Sequence, residues 1–263
     1  MYKIIVCGAC GRMGRELIRV IDELEDIQLV GAIEAPNHPC LTRKIGKMEV
    51  SFNLEESIEE GAVVVEFTTT SATLEHLGIA KRKGTPMVIG TTGFKDEEYS
   101  IIEEASQEIP ILLSPNMSVG INLMYNLVKQ ASQILQGKKF DHEIIELHHR
   151  LKKDAPSGTA KKIAEIIAEA TGKDLSENLV YGRKGITGER TEQEIGIHSV
   201  RGGTAVGEHT VVFAGNGERL EITHRADSRR IYALGAVLAA QFITGKEKGL
   251  YDLQDALKVK ETN

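Results

Sequence analysis

The sequence predicts an α/β protein of two domains, a doubly wound parallel sheet followed by an α+β domain built on a largely antiparallel sheet. Strands and helices alternate through the N-terminal part, which indicates a parallel sheet with helical crossovers. Three later segments alternate in side-chain character with period two, which is typical of antiparallel strands with one covered face. A length of 263 residues suits one medium and one small domain.

In the first domain, the predicted strands are short apolar runs at residues 3–6, 27–33, 63–67, 86–89 and 111–113. The segments between them place apolar residues, such as Leu17 and Ile21, at helical spacing. We expect Ser71 to cap a helix that ends near Gly84, and a further helix over residues 96–107.

After about residue 120 the order of elements changes. The predicted elements are a helix at 123–135, a strand at 143–147, a helix at 159–170, strands at 194–200, 208–213 and 219–224, and a helix at 229–242. We expect the last helix to return to the first domain. The predicted domains are therefore residues 1–119 with 229–263, and residues 120–228.

Composition narrows the classes of function. A formal net charge of -6, 5% aromatic residues and no Trp argue against nucleic acid as a partner. No apolar run approaches the ~18 residues of a membrane span, and Met1 leads into a strand without an apolar signal region. We therefore expect a cytoplasmic protein without membrane contact.

The first strand leads into a glycine turn that reads Gly8-Ala9-Cys10-Gly11-Arg12-Met13-Gly14. Glycines permit positive φ, close approach of a pyrophosphate and close packing of helix on strand. Glu34 ends the second strand about 20 residues later, where a carboxylate can accept both ribose hydroxyls of an adenosine. The pattern predicts a Rossmann-like dinucleotide site; the alternative is a helix-opening turn without a ligand.

The same carboxylate predicts which dinucleotide binds. Glu34 would repel a 2'-phosphate, and Ala35 supplies no cation to offset the repulsion. We therefore expect NADH to be preferred over NADPH. Arg12, Arg43 or Lys44 could reach the phosphate and reduce the preference.

Cations concentrate in one segment of this acidic chain, at His148, His149, Arg150, Lys152 and Lys153. Ser157 can cap a helix that begins at Gly158 and Thr159, whose amides and positive dipole end suit a carboxylate. Imidazole and ammonium groups beside an anion are suited to moving protons. The predicted ligand is a small carboxylate; the alternative is a solvated charged turn.

A thirteen-residue run reads HHRLKKDAPSGTA, from His148 to Ala160, and closely resembles the signature of the dihydrodipicolinate reductases. Further segments resemble the same family in the same order, at residues 8–14, 90–93, 115–122, 207–210 and 218–224. Two positions depart from some relatives: Leu151 replaces a third histidine, and Ala35 replaces an arginine.

The resemblance implies reduction of 4-hydroxy-tetrahydrodipicolinate to tetrahydrodipicolinate in the diaminopimelate route to lysine, by hydride transfer from nicotinamide C4 to the ring. It implies His148 as proton donor or acceptor and Lys152 as proton donor. It also implies that His149, Gly158 and Thr159 hold the carboxylates of this small dicarboxylate substrate. We expect Asp154 to orient Lys152 or to brace the turn.

For the cofactor, the resemblance implies that Gly90, Thr91 and Thr92 line the nicotinamide end. The segment Ser114, Pro115, Asn116 and Met117 is expected to close over the cofactor. Alternatively, residues 90–93 form only a strand-to-helix turn and Asn116 only caps a loop. The family also suggests a homotetramer built through sheets of the second domain.

Two other functions stay open. One is another two-domain NAD(P)-dependent reductase of a small carboxylate, such as a sugar-acid dehydrogenase; the other is a non-catalytic NADH sensor. No metal is expected, because His142, His148 and His149 are not matched by a pair of cysteines. We interpret the three histidines in predicted strands as structural or interface residues and not as ligands: His198, His209 and His224.

The cysteines are interpreted as reduced. Three are too few for a secreted disulfide framework. Cys7 and Cys10 form a C-x-x-C pair across the glycine turn, where a redox dithiol would compete with the function of the glycines. Cys40 stands alone in the sequence.

Overall fold

The chain divides into two compact units in the computed structural model, which describes residues 1–46 and 48–259. Unit 1 comprises Met1–Val119 with Arg229–Asn263, and unit 2 comprises Gly120–Ser228. The predicted α/β class is confirmed, with a mostly parallel sheet in unit 1 and a second, largely antiparallel sheet in unit 2. No helix within the described ranges is long and apolar enough to span a bilayer.

The strands, in chain order, are β1 (Tyr2–Cys7), β2 (Ile27–Ile33), β3 (Lys44–Ile45), β4 (Met48–Ser51), β5 (Ala62–Glu66), β6 (Met87–Ile89), β7 (Pro110–Leu113), β8 (Asp141–His148), β9 (Leu179–Tyr181), β10 (Ile195–Arg201), β11 (Gly207–Ala214), β12 (Arg219–Ala226) and β13 (Gly249–Tyr251). The helices are α1 (Arg12–Asp22), α2 (Leu54–Ser57), α3 (Thr70–Lys83), α4 (Asp96–Ser106), α5 (Val119–Leu135), α6 (Gly158–Thr171), α7 (Leu175–Asn178), α8 (Arg230–Ile243) and α9 (Leu253–Leu257).

Unit 1 contains an eight-stranded sheet in the order β13-β7-β6-β5-β1-β2-β4-β3, in which only the β3–β4 pairing is antiparallel. Every residue of β5 is buried, because helices cover both faces. Val63 and Val65 pack with α1 and α8, whereas Ala62 and Val64 pack with α3 and α4. The return of the last helix to this unit is confirmed by the packing of α8 on α1.

Strand β1 lies at the point where the order of the sheet reverses, with β2 on one side and β5 on the other. Ligands of doubly wound sheets bind at the carboxyl ends of the strands beside such a reversal. The glycine turn follows β1 directly. The fold of unit 1 therefore provides the setting that a dinucleotide site needs.

Unit 2 contains a five-stranded sheet in the order β12-β11-β8-β10-β9. Antiparallel ladders join β8, β11 and β12, but β10 runs parallel to β8 and β9. The period-two alternation of residues 194–200 therefore shows that one face of β10 is covered, but it does not show the direction of the strand. The parallel pairing of β8 with β10 is possible because the chain between them includes α6. Helices α5 and α6 pack on the face that carries Ile144, Val211 and Phe213.

One local expectation is corrected. The N-cap of α3 is Thr69, not Ser71, because the Thr69 hydroxyl accepts the N–H of Ala72 at 3.3 Å. The structure also contains two short strands between residues 33 and 63 that the sequence analysis does not predict, β3 and β4.

The expectation that the cysteines are reduced and that Cys40 stands alone is wrong. Cys10 and Cys40 form a disulfide bond with their Cα atoms 6.7 Å apart, and Cys7 is free and buried. The two partners are separated by 30 residues in the chain. They meet because the loop after β2 returns to the glycine turn, which local sequence patterns do not reveal.

Candidate functional site

The glycine turn approaches its surroundings closely. Gly8 has φ 77°, and a Cβ there would lie 2.6 Å from the carbonyl oxygen of Phe67. A Cβ at Gly14 would overlap the carbonyl group of Gly8, so the glycine lets α1 pack on the turn. Gly11 is the N-cap of α1, and no side chain caps this helix. Its first amides therefore suit a phosphate.

Glu34 lies beside this turn. Its carboxylate accepts the N–H of Cys10 at 2.9 Å and the N–H of Ala35 at 3.2 Å, which holds it at the end of β2. Ala9 is buried, Arg12 is exposed and Met13 is partly buried. An open helix N-terminus and a fixed carboxylate fit the pyrophosphate and adenosine ribose of a nicotinamide dinucleotide.

Two further candidate segments follow β6 and β7, which lie in the same sheet. Gly90 is packed so closely that a Cβ would overlap the Phe67 ring. Thr91 is buried, and its hydroxyl accepts the N–H of Thr68 at 3.2 Å and the hydroxyl of Thr73 at 3.0 Å. Thr92 is exposed. The glycine turn and residues 90–92 therefore lie at carboxyl ends of parallel strands in one sheet.

The segment after β7 is internally hydrogen-bonded. The Ser114 hydroxyl donates to the carbonyl oxygen of Asn116 at 2.9 Å, and the Asn116 side chain accepts the N–H of Ser118 at 2.9 Å. Pro115 is exposed, whereas Met117 is buried in the core of unit 1. The Asn116 side chain thus makes the loop-capping contact of the alternative interpretation.

The sequence patterns missed a buried carboxylate near these segments. Glu66 is fully buried at the end of β5, where it pairs with His76 at 2.7 Å and accepts the hydroxyl of Thr68. Burial lowers the pKa of His76, but the hydrogen bond to Glu66 and the negative charges of Glu66 and Glu75 together outweigh burial and raise the pKa overall. Glu66 thereby connects the end of β5 to Thr68, which in turn contacts Thr91.

In unit 2, His148 ends β8 and is 8% exposed. Its Nδ1 is hydrogen-bonded to the carboxylate of Glu146 at 2.5 Å. Because the partner is a carboxylate, Nδ1 carries the proton and Nε2 remains for proton exchange with a ligand. A Cβ at Gly207 would lie 3.0 Å from Nε2, so the glycine keeps this nitrogen approachable.

Glu146 is fully buried and has several partners. Arg201 donates to both carboxylate oxygens, at 2.7 and 2.8 Å, and the N–H of Ser157 donates at 3.2 Å. Burial raises the pKa of Glu146, but hydrogen bonds from His148 and Arg201 outweigh burial and hold the pKa well below its usual range. Glu146 therefore stays ionised and connects β8, β10 and the start of α6.

Lys152 lies in the turn after β8. Its Nζ donates to the Asp154 carboxylate at 2.9 Å, a contact that fits the expectation that Asp154 orients Lys152 or braces the turn. This hydrogen bond also lowers the pKa of Asp154. The Lys152 N–H donates to the carbonyl oxygen of His149 at 3.1 Å, and the His149 N–H donates to Ala205 at 2.8 Å. These bonds hold the turn that presents the candidate lysine.

Helix α6 starts at this network. Ser157 is its N-cap: the hydroxyl accepts the N–H of Ala160 at 3.2 Å and contacts His209 Nε2 at 3.1 Å. A Cβ at Gly158 would meet no atom within 4 Å, so the helix opens onto space at this point, beside Thr159. Burial lowers the pKa of His209 to about 3, which keeps its ring neutral. The helix start suits an anion.

Sequence reasoning missed Glu146 and Arg201, and it assigned His209 only a structural role. One signal was present: Glu146 lies two residues before His148, on the strand face that also carries the buried Ile144. A charged residue at an inward position of a strand indicates a specific partner. Arg201 carried no such signal, since it lies 55 residues further along the chain.

Comparison with known proteins connects both units to one family. The chain matches the model of the N-terminal part of dihydrodipicolinate reductase over residues 2–117 and that of the C-terminal part over residues 120–257. The 4-hydroxy-tetrahydrodipicolinate reductases of Syntrophotalea carbinolica and Geotalea daltonii are 48% and 46% identical to it, each covering 99% of this chain and 100% of the relative. The dipicolinate-bound dihydrodipicolinate reductase from Paenisporosarcina sp. TG-14 has a TM-score of 0.76 at 28% identity and covers 96% of this chain and 97% of its own. The chain belongs to the dihydrodipicolinate reductase family.

Proposed function

We propose that this chain catalyses the NAD(P)H-dependent reduction of 4-hydroxy-tetrahydrodipicolinate to tetrahydrodipicolinate in the diaminopimelate route to lysine. The observation that carries the proposal is the Glu146–His148 pair, held beside the open start of α6 in a chain that also has a glycine-turn dinucleotide fold. Relatives that share almost half of the sequence over its full length bear the name of this reductase.

Unit 1 is the proposed dinucleotide-binding domain. The first-turn amides of α1 would hold the pyrophosphate, and Glu34 would accept the ribose hydroxyls. Residues 90–92 would line the nicotinamide end, and residues 114–117 would close over the cofactor. The bound cofactor supplies a hydride. Because the Glu34 carboxylate repels a 2'-phosphate, NADH is the preferred donor.

Unit 2 is the proposed substrate-binding domain. The substrate carries two carboxylates, and His149 with the helix-start residues Gly158 and Thr159 would bind them. Replacing the ring hydroxyl by hydrogen requires one hydride and one proton and releases one water. Lys152 and His148 Nε2 would supply and exchange the proton, with Glu146 and Asp154 fixing the orientation of the two groups.

Turnover of enzymatically generated 4-hydroxy-tetrahydrodipicolinate with NADH tests the proposal. His148→Gln and Lys152→Met should each lower kcat by ~10²-fold or more while NADH binding stays nearly intact. Lys153→Met is the matched control, because this neighbouring lysine is exposed and outside the proposed site; it should retain wild-type kcat.

The same assay separates the alternatives. A non-catalytic NADH sensor would bind NADH without turning over the dicarboxylate. A reductase of another carboxylate would turn over a different substrate and leave this one unchanged. Unchanged kcat in both His148→Gln and Lys152→Met would refute the assigned proton chemistry even in an active enzyme.

A cytoplasmic homotetramer is the proposed state of the protein. Ile145 and Val200 are 42% and 46% exposed on the sheet face of unit 2 that is turned away from α5 and α6, which supports association through this face. Sedimentation of the full chain should give the mass of four copies. Ile145→Lys should shift it to smaller species; a monomeric wild type would contradict the assignment.

A further inference from the structure

Four potential metal ligands meet in unit 1. Cys10 belongs to the glycine turn, Glu34 follows β2, and His38 and Cys40 lie in the loop after it. Each offers one ligand atom, and these atoms all lie within 4.8 Å of one another. The Nδ1 atom of His38 is 2.8 Å from the sulfur of Cys40. Neither Cys10 nor Cys40 takes part in the proton transfer proposed above.

The ligand types favour zinc. Two cysteine sulfurs, one imidazole nitrogen and one carboxylate oxygen are the ligands that tetrahedral Zn²⁺ takes in proteins. The N–H of Cys40 donates to His38 Nδ1 at 3.3 Å, which favours the tautomer with its lone pair on Nδ1; zinc bound there would replace this hydrogen bond. Glu34 lies at hydrogen-bonding distance from the backbone of Cys10, which keeps its carboxylate at the cluster.

The backbone spacing also accommodates an ion. The Cα atoms of Cys10 and Cys40 are 6.7 Å apart. Disulfides span about 4.4–6.8 Å between Cα atoms, so this pair lies at the wide end of the range. Two thiolates on one tetrahedral zinc ion lie about 3.8 Å apart, given Zn–S bonds of about 2.3 Å. Opening the disulfide therefore leaves room for zinc between the sulfurs.

We propose that Cys10, Glu34, His38 and Cys40 bind one zinc ion when the Cys10–Cys40 disulfide is reduced. The disulfide and the zinc site are two states of one cluster. A thiol reductant donates two electrons and two protons to the disulfide and is itself oxidised to a disulfide. Zinc then displaces the thiol protons and binds both sulfurs as thiolates.

The site controls access of the dinucleotide, a consequence that rests on the proposed function. The Glu34 carboxylate that binds zinc is the one proposed to accept both ribose hydroxyls, and Cys10 forms part of the turn proposed to face the pyrophosphate. Zinc and NADH therefore compete for these groups, and by linkage each lowers the affinity for the other by the same factor.

Direct metal titration tests the site without any turnover. The full chain is reduced, freed of reductant and titrated with Zn²⁺ against a chromophoric chelator, and Co²⁺ serves as a spectroscopic probe. We expect one ion per chain and a thiolate-to-cobalt charge-transfer band. Cys40→Ser and His38→Ala should each weaken zinc binding at least ~10-fold. Cys7→Ala is the matched control, since it removes a cysteine outside the cluster and should retain wild-type affinity.

The oxidised protein provides a control with an unchanged sequence. Glutathione disulfide takes up the two electrons and two protons of the thiols as the Cys10–Cys40 bond forms, and the product should bind no zinc. Circular dichroism melts verify that each variant folds. Failure of the reduced wild type to bind zinc, or equal affinity in folded Cys40→Ser, overturns the proposal.

NADH binding, followed by its fluorescence, tests the competition. Zinc should raise the Kd for NADH at least ~10-fold in the reduced wild type and leave Cys40→Ser unaffected. Simultaneous binding of zinc and NADH at unchanged affinity would show that Glu34 is not a ligand and would overturn the four-ligand site. If the chain has no reductase activity, the proposed function fails, but the metal titration is unchanged. Failure of the proposed function can therefore be distinguished from failure of the zinc site.

Discussion

At the scale of single residues, Glu146 shows how one buried carboxylate holds several side-chain and backbone groups in position. It accepts hydrogen bonds from Arg201, Ser157 and His148, which lie on three different segments of unit 2. A buried charge is tolerated only when its hydrogen bonds are satisfied, and here the arginine binds both carboxylate oxygens. The orientation of the His148 ring therefore depends on a residue that meets no substrate in the proposed mechanism.

Glu146→Gln tests this positioning role. The amide keeps the shape but loses the charge that holds the His148 ring through its Nδ1. We expect kcat to fall on the order of 10²-fold while the Kd for NADH stays unchanged. Glu143→Gln on the same strand is the control: it loses ion pairs with Arg183 and Arg190 and should affect stability with kcat unchanged. An unchanged kcat in folded Glu146→Gln would exclude the positioning role.

Glu34 determines the expected choice of cofactor. Its carboxylate is fixed beside the glycine turn, where a 2'-phosphate would meet a negative charge. The wild type should show a higher kcat/KM with NADH than with NADPH. Glu34→Gln should lower the ratio of these two kcat/KM values at least ~10-fold. Steady-state kinetics with both cofactors decides this; an NADPH advantage in the wild type would contradict the electrostatic reasoning.

At the scale of elements, the start of α6 combines a cap with a candidate anion site. Ser157→Ala removes the acceptor for the Ala160 N–H and should destabilise unit 2 by ~1 kcal/mol, measured by urea unfolding. It should also raise KM for the dicarboxylate, because the helix start loses its order. Asn53→Ala removes the cap of α2 in unit 1 and is the control; an equal effect on KM there would point to a general loss of stability.

Thr159→Val separates binding from chemistry at the same helix. The substitution replaces a hydroxyl by a methyl group of similar size and keeps the backbone amide. If Thr159 holds a substrate carboxylate, KM for the dicarboxylate should rise more than kcat falls. Steady-state kinetics gives both values, and a selective fall in kcat would assign Thr159 to the transition state instead.

At the scale of the whole molecule, unit 2 should be sensitive to acid. Burial lowers the pKa of His209 to about 3 and, with Lys173 and Arg190 nearby, that of His142 to about 4. Unfolded histidines titrate at about 6.5, so below that pH the unfolded chain binds protons that the folded chain does not. The contribution of these two histidines to the free energy of unfolding is therefore fully present above about pH 6.5. It decreases as the pH drops towards 4.

Each of these histidines can contribute up to ~1.4 kcal/mol per pH unit in this window. Urea unfolding at pH 7 and pH 5 should show the decrease in unfolding free energy, and His142→Gln should show a smaller decrease. A stability that is the same at both pH values in the wild type would contradict the burial of neutral imidazoles.

Some of this architecture was predictable because it depends on local patterns. Apolar runs with intervening helical periodicity predict the parallel sheet of unit 1, and strand, glycine turn and carboxylate predict a dinucleotide site. The direction of β10 was not predictable, since a period of two reports only that one face is covered. The cap of α3 was misplaced by two residues because Thr69 and Ser71 are both suitable N-cap residues.

The sequence by itself determined the alternation of elements, the glycine turn, the family signature and the cluster of cations before α6. Only the tertiary structure decided which distant groups meet: Cys10 with Cys40 across 30 residues, and Glu146 with Arg201 across 55. Periodicity and motifs record relations between neighbours in the chain. Contacts of this range depend on how strands pair and loops return, which the packing of the whole core selects.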